Sequence, residues 1–200
     1  MVALLDYGAG NLASVRKGLD AVGIDHRTPE CPDDLDHARG IVVPGVGHFS
    51  ATAALGNQWR EAILERIRAG VPLLGICLGM QWLFEGSAEA PDVSGLGVFQ
   101  GLCTRIVAPP PLKVPHVGWN TLSACRESRL LQDVPRDAYA YFTHSFAAPL
   151  TAECVATTTH GTSLPAAVEH DRIWGVQFHP EKSATHGLQI LQNFARMVSA

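Results

Sequence analysis

One cysteine stands in a pattern typical of a reactive nucleophile. Cys77 lies within Gly75-Ile-Cys-Leu-Gly79, which has the G-x-nucleophile-x-G form of a nucleophile elbow, with sulfur in place of the more familiar serine oxygen. The glycines leave room for packing at such a strand-to-helix corner, and the start of the following helix favours a thiolate. Alternatively, Cys77 is simply a small buried residue at the end of a core strand, as most cysteines in cytosolic domains are.

The segment Gln177-Phe-His-Pro-Glu181 offers a base and an acid to orient it. A strand of period two that ends just after Phe178 puts His179 and Glu181 on the same side. Glu181 can then hold one ring nitrogen while the other takes the thiol proton and later protonates a leaving group. Alone, His-Pro-Glu is more typical of a solvated loop, but together with the elbow it predicts a Cys-His-Glu triad.

Acyl transfer also needs donors for a tetrahedral oxyanion. The glycine-rich segment Pro44-Gly-Val-Gly47 directly follows a predicted buried strand, so the backbone N–H groups of Val46 and Gly47 are candidates. The Leu78 N–H at the elbow is the natural further donor. A plain tight turn explains Pro44 to Gly47 equally well, and what favours function is that the carboxyl ends of parallel strands lie side by side and collect ligands.

The elements that must position these residues follow an alternating pattern in the first half of the chain. Apolar runs alternate with helical periodicity, which predicts an α/β fold with a mostly parallel sheet covered by helices. Helix 78–84 would begin with no room for a loop, so Cys77 must occupy the corner itself. The strands are predicted at 2–5, 24–27, 40–43 and 71–76, and the helices after an Asn11 cap and at 59–69.

After about Gly95 the pattern changes to short β-branched and aromatic runs separated by glycine and proline. This change predicts antiparallel additions to the sheet in the second half. The predicted runs are 97–107, 139–145, 153–158 and 173–178, followed by a helix from Ser183 to about Val198.

The composition bounds the kind of protein. The chain has 200 residues, of which 46% are hydrophobic and 17% charged, and this suits one domain over residues 1–200. A net charge of -4 gives no basic footprint for nucleic acid, and no apolar run approaches the roughly 20 residues of a membrane span. The N-terminus lacks the basic region of a signal peptide.

The cysteines and histidines argue against metal and disulfide chemistry. Five cysteines, widely spaced and without a C-x-x-C pair, are typical of reduced cytosolic thiols. His116, His144 and His186 lie near the motif segments, but none of them forms a metal-ligand spacing with a cysteine or an acid, so we expect no metal and no cofactor. The histidines in polar stretches are predicted to be exposed, and these are His26, His37, His160 and His170.

With these residues in view, the chain resembles the class I glutamine amidotransferases, whose marks are the G-x-C-x-G elbow and a C-terminal His-Pro-Glu. More narrowly, it resembles the glutaminase subunits of imidazole glycerol phosphate synthases, over nearly the whole chain. The further matching segments are Asp6-Tyr-Gly-Ala-Gly-Asn-Leu12, Pro44-Gly-Val-Gly47, Lys113-Val-Pro-His-Val-Gly-Trp-Asn120 and Tyr141-Phe-Thr-His-Ser145.

The resemblance implies a three-layer class I amidotransferase fold and a reaction. Cys77 would attack the carboxamide of glutamine, release ammonia, and pass through a glutamyl thioester that water hydrolyses. Gln81 and Glu89 match positions that hold the amino-acid end of the substrate. The segment His144, Ser145 and Phe146 matches one that binds the same end through backbone groups. The family usually has tyrosine where this chain has Phe146, so only backbone contacts are expected there.

The resemblance also implies a partner. Related glutaminases form heterodimers with a (β/α)8 cyclase subunit, which uses the ammonia to make imidazole glycerol phosphate and an aminoimidazole carboxamide ribotide in histidine biosynthesis. Asn11, Trp119, Tyr141 and Lys182 match positions that face this partner. From the residues alone, Trp119 and Tyr141 would be core residues, and only the resemblance places them at an interface.

Three other interpretations compete with this one. Glutaminase subunits of anthranilate synthase or of pyridoxal phosphate synthase share the triad, but the segments 6–12 and 113–120 argue against both. A non-catalytic subunit of the same fold would have to lose activity by a change outside the triad. A proteolytic or chaperone-like cysteine domain is not expected to carry His-Pro-Glu near its C-terminus.

Overall fold

The structure is a computed structural model that describes residues 1–199. Three short 3-10 turns, at Pro32–His37, Phe49–Ala54 and Pro180–Lys182, interrupt the longer elements. The helices are α1 (Leu12–Ala21), α2 (Asn57–Arg68), α3 (Leu78–Trp82) and α4 (Ala184–Ser199). The strands are β1 (Val2–Leu4), β2 (His26–Arg27), β3 (Gly40–Val43), β4 (Leu73–Ile76), β5 (Gly86–Ser87), β6 (Leu102–Arg105), β7 (His116–Thr121), β8 (Ser123–Ala124), β9 (Tyr139–His144), β10 (Phe146–Ala147), β11 (Cys154–His160), β12 (Thr162–His170) and β13 (Ile173–Val176).

The central sheet has eight strands in the order β2-β1-β3-β4-β13-β12-β11-β8. The neighbours from β2 to β13 are parallel, and those from β13 to β8 are antiparallel. The prediction of a mostly parallel sheet with antiparallel additions is therefore confirmed. Strands β5, β6 and β10 form a small second sheet, and β7 pairs with β9 as a separate antiparallel ribbon.

Both faces of the central sheet are buried under helices. Alternate residues of β1 divide between two cores, with Val2 and Leu4 on one side and Ala3 on the other, as a strand period of two requires. Helices α1 and α4 cover the first face, and α2 and α3 cover the second. This arrangement is the three-layer architecture expected from the sequence.

Helix α1 shows how the sequence sets an element. The Asn11 side chain caps the helix by accepting from the backbone N–H of Ser14 at 3.3 Å. The buried residues Val15 and Leu19 lie one turn apart and pack on the sheet, and the predicted Asn11 cap is confirmed. None of the helices within residues 1–199 is long and apolar enough to cross a membrane.

The second half differs most from the sequence prediction. Only Leu102–Arg105 of the run 97–107 forms a strand, and the run 153–158 extends through His160. Strand β12, nine residues long, was not predicted because Pro165 and several polar residues interrupt its pattern. It lies between β11 and β13 and joins the antiparallel part of the sheet to the parallel part.

Candidate active site

Cys77 lies at the corner between β4 and α3, as predicted. Its φ of 53° and ψ of -105° place it in a strained, left-handed region that a cysteine rarely occupies. The Cys77 N–H donates to the Val176 carbonyl at 2.7 Å, which ties the corner to β13. A Cβ on Gly79 would lie 1.8 Å from the Val43 carbonyl oxygen, so the elbow needs glycine at that position.

His179 and Glu181 form the predicted pair, with 2.8 Å between His179 Nδ1 and Glu181 Oε1. Their side chains are only 3% and 2% exposed. The local reason differs from the prediction, because β13 ends at Val176 and the 3-10 turn at Pro180–Lys182 brings the carboxylate back to the ring. Strand periodicity does not place this pair.

The backbone around His179 is held on several sides. Its N–H donates to the Tyr141 carbonyl at 2.9 Å, and its carbonyl accepts from the Ser183 hydroxyl at 2.6 Å. The same hydroxyl oxygen accepts from the Tyr141 N–H at 2.9 Å. The ring is therefore positioned by β9 as well as by its own turn.

The electrostatics of the site favour a protonated imidazole. Burial lowers the pKa of His179, but Cys77 and Glu181 outweigh it and raise this pKa to about 9. Because Glu181 occupies Nδ1, Nε2 is the ring nitrogen left for Cys77, and within residues 1–199 this buried atom makes no hydrogen bond of ordinary geometry. The Cys77 Sγ lies 3.6 Å from the Gln177 amide nitrogen and 3.9 Å from the Thr143 carbonyl oxygen. The raised pKa of His179 therefore favours an imidazolium at the triad.

The segment predicted to hold the oxyanion is in a closed arrangement. The Leu78 N–H donates to the Gly45 carbonyl oxygen at 3.2 Å, so this amide is already engaged. The Tyr7 hydroxyl donates to the Pro44 carbonyl oxygen at 2.6 Å and fixes the start of the segment. Gly47, with a φ of 119°, faces the cavity beside Cys77, whereas Val46 is not among the residues that line it.

A cavity of about 230 Å³ opens at Cys77. It is smaller than the roughly 300–1,000 Å³ of typical drug-sized ligand sites, which suits a single amino acid. A larger open groove of about 750 Å³ lies beside β8, and it is lined by none of the triad residues. The cavity brings together all five predicted substrate residues with the elbow, and its lining is Gly47, Cys77, Leu78, Gln81, Glu89, Pro115, Thr143, His144, Ser145 and Phe146.

The polar groups of this lining are already oriented by the protein. Gln81 donates its amide hydrogens to the Phe146 carbonyl at 2.8 Å and to Gln177 Oε1 at 3.1 Å. The side-chain carbonyl oxygen of Gln81 is thereby left as the group that can accept a hydrogen bond from an ammonium group. Glu89 accepts from the Phe49 N–H at 2.8 Å and brings a carboxylate to the same cavity.

The four residues matched to a partner interface differ in exposure. Trp119 is 53% exposed, so the interpretation of Trp119 as a core residue from the residues alone is wrong. Tyr141 is half-buried, lies 6.0 Å from the Trp119 ring and has Lys182 Nζ 5.9 Å from its ring centre. Asn11 is exposed, although its side chain also caps α1.

Several residues at the site were missed by sequence reasoning. Gln177 belongs to the quoted His-Pro-Glu segment, yet its contact with Cys77 depends on how β13 lies beside β4. Tyr7 and His116 lie in the segments 6–12 and 113–120, but the sequence pattern predicts no role for either. His160, predicted to be exposed, is partly buried and stacks on His116 with 4.3 Å between ring centres. Within residues 1–199, no group of three or more His, Cys, Asp or Glu side chains is arranged to hold a metal ion.

Comparison with known families agrees with this geometry. The family model described as glutamine amidotransferase class-I matches residues 3–198. A solved structure described as a glutamine amidotransferase superposes with a TM-score of 0.76 at 18% identity, over 100% of this chain and 99% of its own. The structure of PurLQS from Thermotoga maritima gives 0.76 at 15% identity, over 98% of this chain and 97% of that one. At these identities the two structures support the fold alone.

The chain belongs to the class I glutamine amidotransferase family, and it is an enzyme that hydrolyses glutamine. Its relatives narrow this class further. Imidazole glycerol phosphate synthase subunit HisH of Deinococcus radiodurans is 44% identical over 98% of this chain and 93% of its own length. The protein of the same name from Methanothermobacter thermautotrophicus is 43% identical over the full length of both. Within the class, the chain falls in the HisH family.

Proposed function

We propose that the chain is the glutaminase subunit of an imidazole glycerol phosphate synthase, with Cys77, His179 and Glu181 as its catalytic triad. The observation that carries this proposal is the buried 2.8 Å pair of His179 and Glu181 beside a strained Cys77 at a cavity of amino-acid size. The HisH relatives favour this pathway over anthranilate or pyridoxal phosphate synthesis.

The reaction follows from this placement. The Cys77 thiolate attacks the side-chain carboxamide carbon of glutamine and forms a C–S bond, while the carbonyl oxygen takes the negative charge. His179 gives its Nε2 proton to the nitrogen, the C–N bond breaks, and ammonia leaves a glutamyl thioester. His179 then takes a proton from water, the hydroxide attacks the thioester, and glutamate leaves as the thiolate is restored. Glu181 keeps the imidazole oriented throughout.

The oxyanion is assigned to the backbone N–H groups of Val46, Gly47 and Leu78. The Leu78 N–H already donates to the Gly45 carbonyl. That carbonyl must therefore move away before Leu78 can donate to the substrate. In this arrangement the triad is assembled, but one of the three assigned oxyanion donors is engaged by Gly45. Hydrolysis by the isolated chain is therefore slow, since removing one such donor typically costs about 10²–10³ in kcat.

The substrate's amino-acid end is assigned to the remaining polar lining. The Gln81 carbonyl oxygen and the Glu89 carboxylate bind the α-ammonium group. Backbone groups of His144, Ser145 and Phe146 bind the α-carboxylate end. These five residues lie around one cavity with Cys77, which supports the assignment.

The ammonia is delivered to a cyclase subunit with a (β/α)8 barrel, in a heterodimer. Asn11, Trp119, Tyr141 and Lys182 form the proposed interface. The exposed apolar residues on the outer face of the β7–β9 ribbon support it, because Val117, Trp119 and Tyr139 are each more than half exposed. The lyase step belongs to the partner subunit.

Residues 1–200 are assigned to one domain, and the protein to the cytoplasm. All five cysteines are free, two of them exposed, and this usage suits a reducing compartment.

The experiment is to purify the chain with an imidazole glycerol phosphate synthase cyclase subunit and to measure glutamate release with and without the cyclase's ribotide ligand. The expected result is weak hydrolysis by the chain alone and strong hydrolysis by the liganded complex. The three conditions are the chain alone, the complex without the ligand and the complex with the ligand. Equal rates in all three, or no complex on size exclusion, would contradict the proposal.

A further inference from the structure

We propose that His116 is a positioning residue for glutamine binding, which fixes the tautomer of His144 and so holds the Phe146 backbone in place at the substrate cavity. His116 does not line the cavity itself. The inference rests on the proposed function, because it assigns a role within the same site.

The two histidines face each other across the β7–β9 ribbon. His116 pairs with His144 in the strand register, and the rings meet with 3.0 Å between His116 Nδ1 and His144 Nε2. Both are buried, at 3% and 6% exposed. A buried contact between two ring nitrogens is stable only when one carries a proton and the other does not.

The Phe146 carbonyl fixes the position of the proton on His144. His144 Nδ1 lies 2.9 Å from the Phe146 carbonyl oxygen, which can only accept. Nδ1 of His144 must therefore carry the proton, and in the neutral ring its Nε2 is an acceptor. His116 Nδ1 must then be the donor between the two rings.

The other end is set independently by an amide. The Asn120 Oδ1 accepts from the Thr121 N–H at 2.8 Å, so the opposite atom of the amide is its nitrogen. That nitrogen donates to the Thr159 carbonyl at 2.9 Å and contacts His116 Nε2 at 3.1 Å. His116 Nε2 must accept, and Nδ1 again carries the proton. The contacts with Phe146 and with Asn120 therefore require the same tautomer of His116, with the proton on Nδ1.

The surroundings keep both rings neutral. Burial, together with the neighbouring His144 and His160, lowers the pKa of His116 to about 3. Burial likewise lowers the pKa of His144 to about 4, against the opposing effect of its bond to Phe146. Each neutral ring then has one donor nitrogen and one acceptor nitrogen. Each donor nitrogen faces an acceptor, and each acceptor nitrogen faces a donor.

The hydrogen bonds that run from Asn120 through His116 and His144 end at the substrate cavity. The Phe146 carbonyl accepts from both His144 and Gln81, so the Ser145 to Phe146 segment is held from two sides. Without the His116 proton, His144 Nε2 loses its donor. Only the bond to the Phe146 oxygen then still favours a proton on Nδ1, so the tautomer of His144 with its proton on Nε2 becomes more populated. Its bare Nδ1 would then face the Phe146 oxygen and release the segment. Glutamine binding would weaken, while the bond-breaking step at Cys77 would be largely unaffected.

The test compares two variants in the complex with the cyclase subunit. His116→Phe keeps a ring between Phe142 and His160 but removes both nitrogens. His116→Asn retains a donor at the position of Nδ1, because both nitrogens are attached to the γ carbon. His170→Asn, at an exposed strand end, is the matched control.

For His116→Phe we expect the KM for glutamine to rise about tenfold, because the loss of one buried hydrogen-bond partner has a free-energy cost of this size. We expect kcat to change less than about threefold. His116→Asn should restore KM to within about threefold of wild type, and the control should match wild type. A fall in kcat with unchanged KM, or no rescue by asparagine despite equal thermal stability, would overturn the proposal.

Nitrogen-15 spectra of histidine-labelled wild-type protein supply an independent readout. Protonation at Nδ1 and a bare Nε2 in both His116 and His144 are expected, and protonation at Nε2 in either would overturn the tautomer assignment. Absence of glutamine hydrolysis by the wild-type complex would instead reject the proposed function, and with it the role of His116 in glutamine binding. The spectra decide the tautomers in either case.

Discussion

Leu78, whose backbone N–H is a proposed oxyanion donor, instead donates it to the carbonyl oxygen of Gly45 at 3.2 Å. The proposed nucleophile, base and acid are in place, yet the adjacent loop engages one of the proposed oxyanion donors. Control of this enzyme is therefore expected to act on Pro44 to Gly47 and not on the triad. The consequences can be tested at residues around the loop, the triad and the partner surface.

The hydroxyl of Tyr7 is expected to hold the loop closed, because it donates to the Pro44 carbonyl at 2.6 Å. Tyr7→Phe should raise hydrolysis by the chain alone by roughly threefold to tenfold, since one hydrogen bond contributes about 0.5–1.5 kcal/mol. Steady-state glutamate release without the cyclase measures this. Tyr139→Phe, at an exposed tyrosine, is the control, and a lower rate in Tyr7→Phe would count against the closed-loop account.

Stability should depend on pH through His179, whose pKa is raised from 6.5 to about 9 in the folded protein. A folded pKa above the unfolded one means that the folded state binds the proton more tightly. This contribution is fully present below about pH 6.5 and is lost as the pH rises through 9. The difference in unfolding free energy between wild type and His179→Gln should shrink over that window.

Urea unfolding at a series of pH values measures this difference. His170→Gln, at an exposed histidine, is the matched control. A wild-type advantage that grows between pH 6.5 and 9 would contradict the raised pKa.

The elbow should not tolerate a side chain at Gly79, because a Cβ there would lie 1.8 Å from the Val43 carbonyl oxygen. Gly79→Ala is expected to cost about 3 kcal/mol or more in unfolding free energy, as overpacking against backbone does. Gly56→Ala, where the nearest atom is 4.0 Å from the added carbon, should stay within about 1 kcal/mol of wild type. Equal losses in the two variants would show that the close approach of β3 and α3 is not as described.

Trp119 should carry a large share of the affinity for the cyclase subunit, since it is 53% exposed and packs on Tyr141 in the ribbon. Trp119→Ala is expected to weaken binding by about 2 kcal/mol or more, which is roughly thirtyfold in Kd. Leu150→Ala removes an apolar side chain that is 55% exposed elsewhere and should leave Kd unchanged. Titration calorimetry with the cyclase subunit distinguishes the two, and equal Kd values for both variants would place the interface on another surface.

The parts of this site that the sequence predicts are those set by local pattern. An apolar run that meets a helical pattern at Cys77 leaves only the corner for that residue, and the structure confirms this position. The Asn11 cap and the α1 face follow from similar short-range rules. The spacing of His179 and Glu181 also predicts their contact, although a 3-10 turn and not strand periodicity brings it about.

The parts that could not be predicted depend on how distant segments meet. Gln177 reaches Cys77 because β13 lies beside β4, and no local pattern states which strands are neighbours. The bond between Leu78 and Gly45 is a backbone contact whose orientation side-chain types do not encode. The His116 and His144 pair needs the register of two strands far apart in the chain.

Cys77 is proposed as the nucleophile that makes ammonia from glutamine for a partner enzyme. Cys77→Ala in the purified complex tests it most directly, with product formation by the cyclase measured from glutamine and, separately, from ammonium salt. The account predicts loss of the glutamine-driven rate by about 10³-fold or more, with the ammonium-driven rate within about twofold of wild type. Glutamine-driven turnover that persists at the wild-type rate in Cys77→Ala would contradict it.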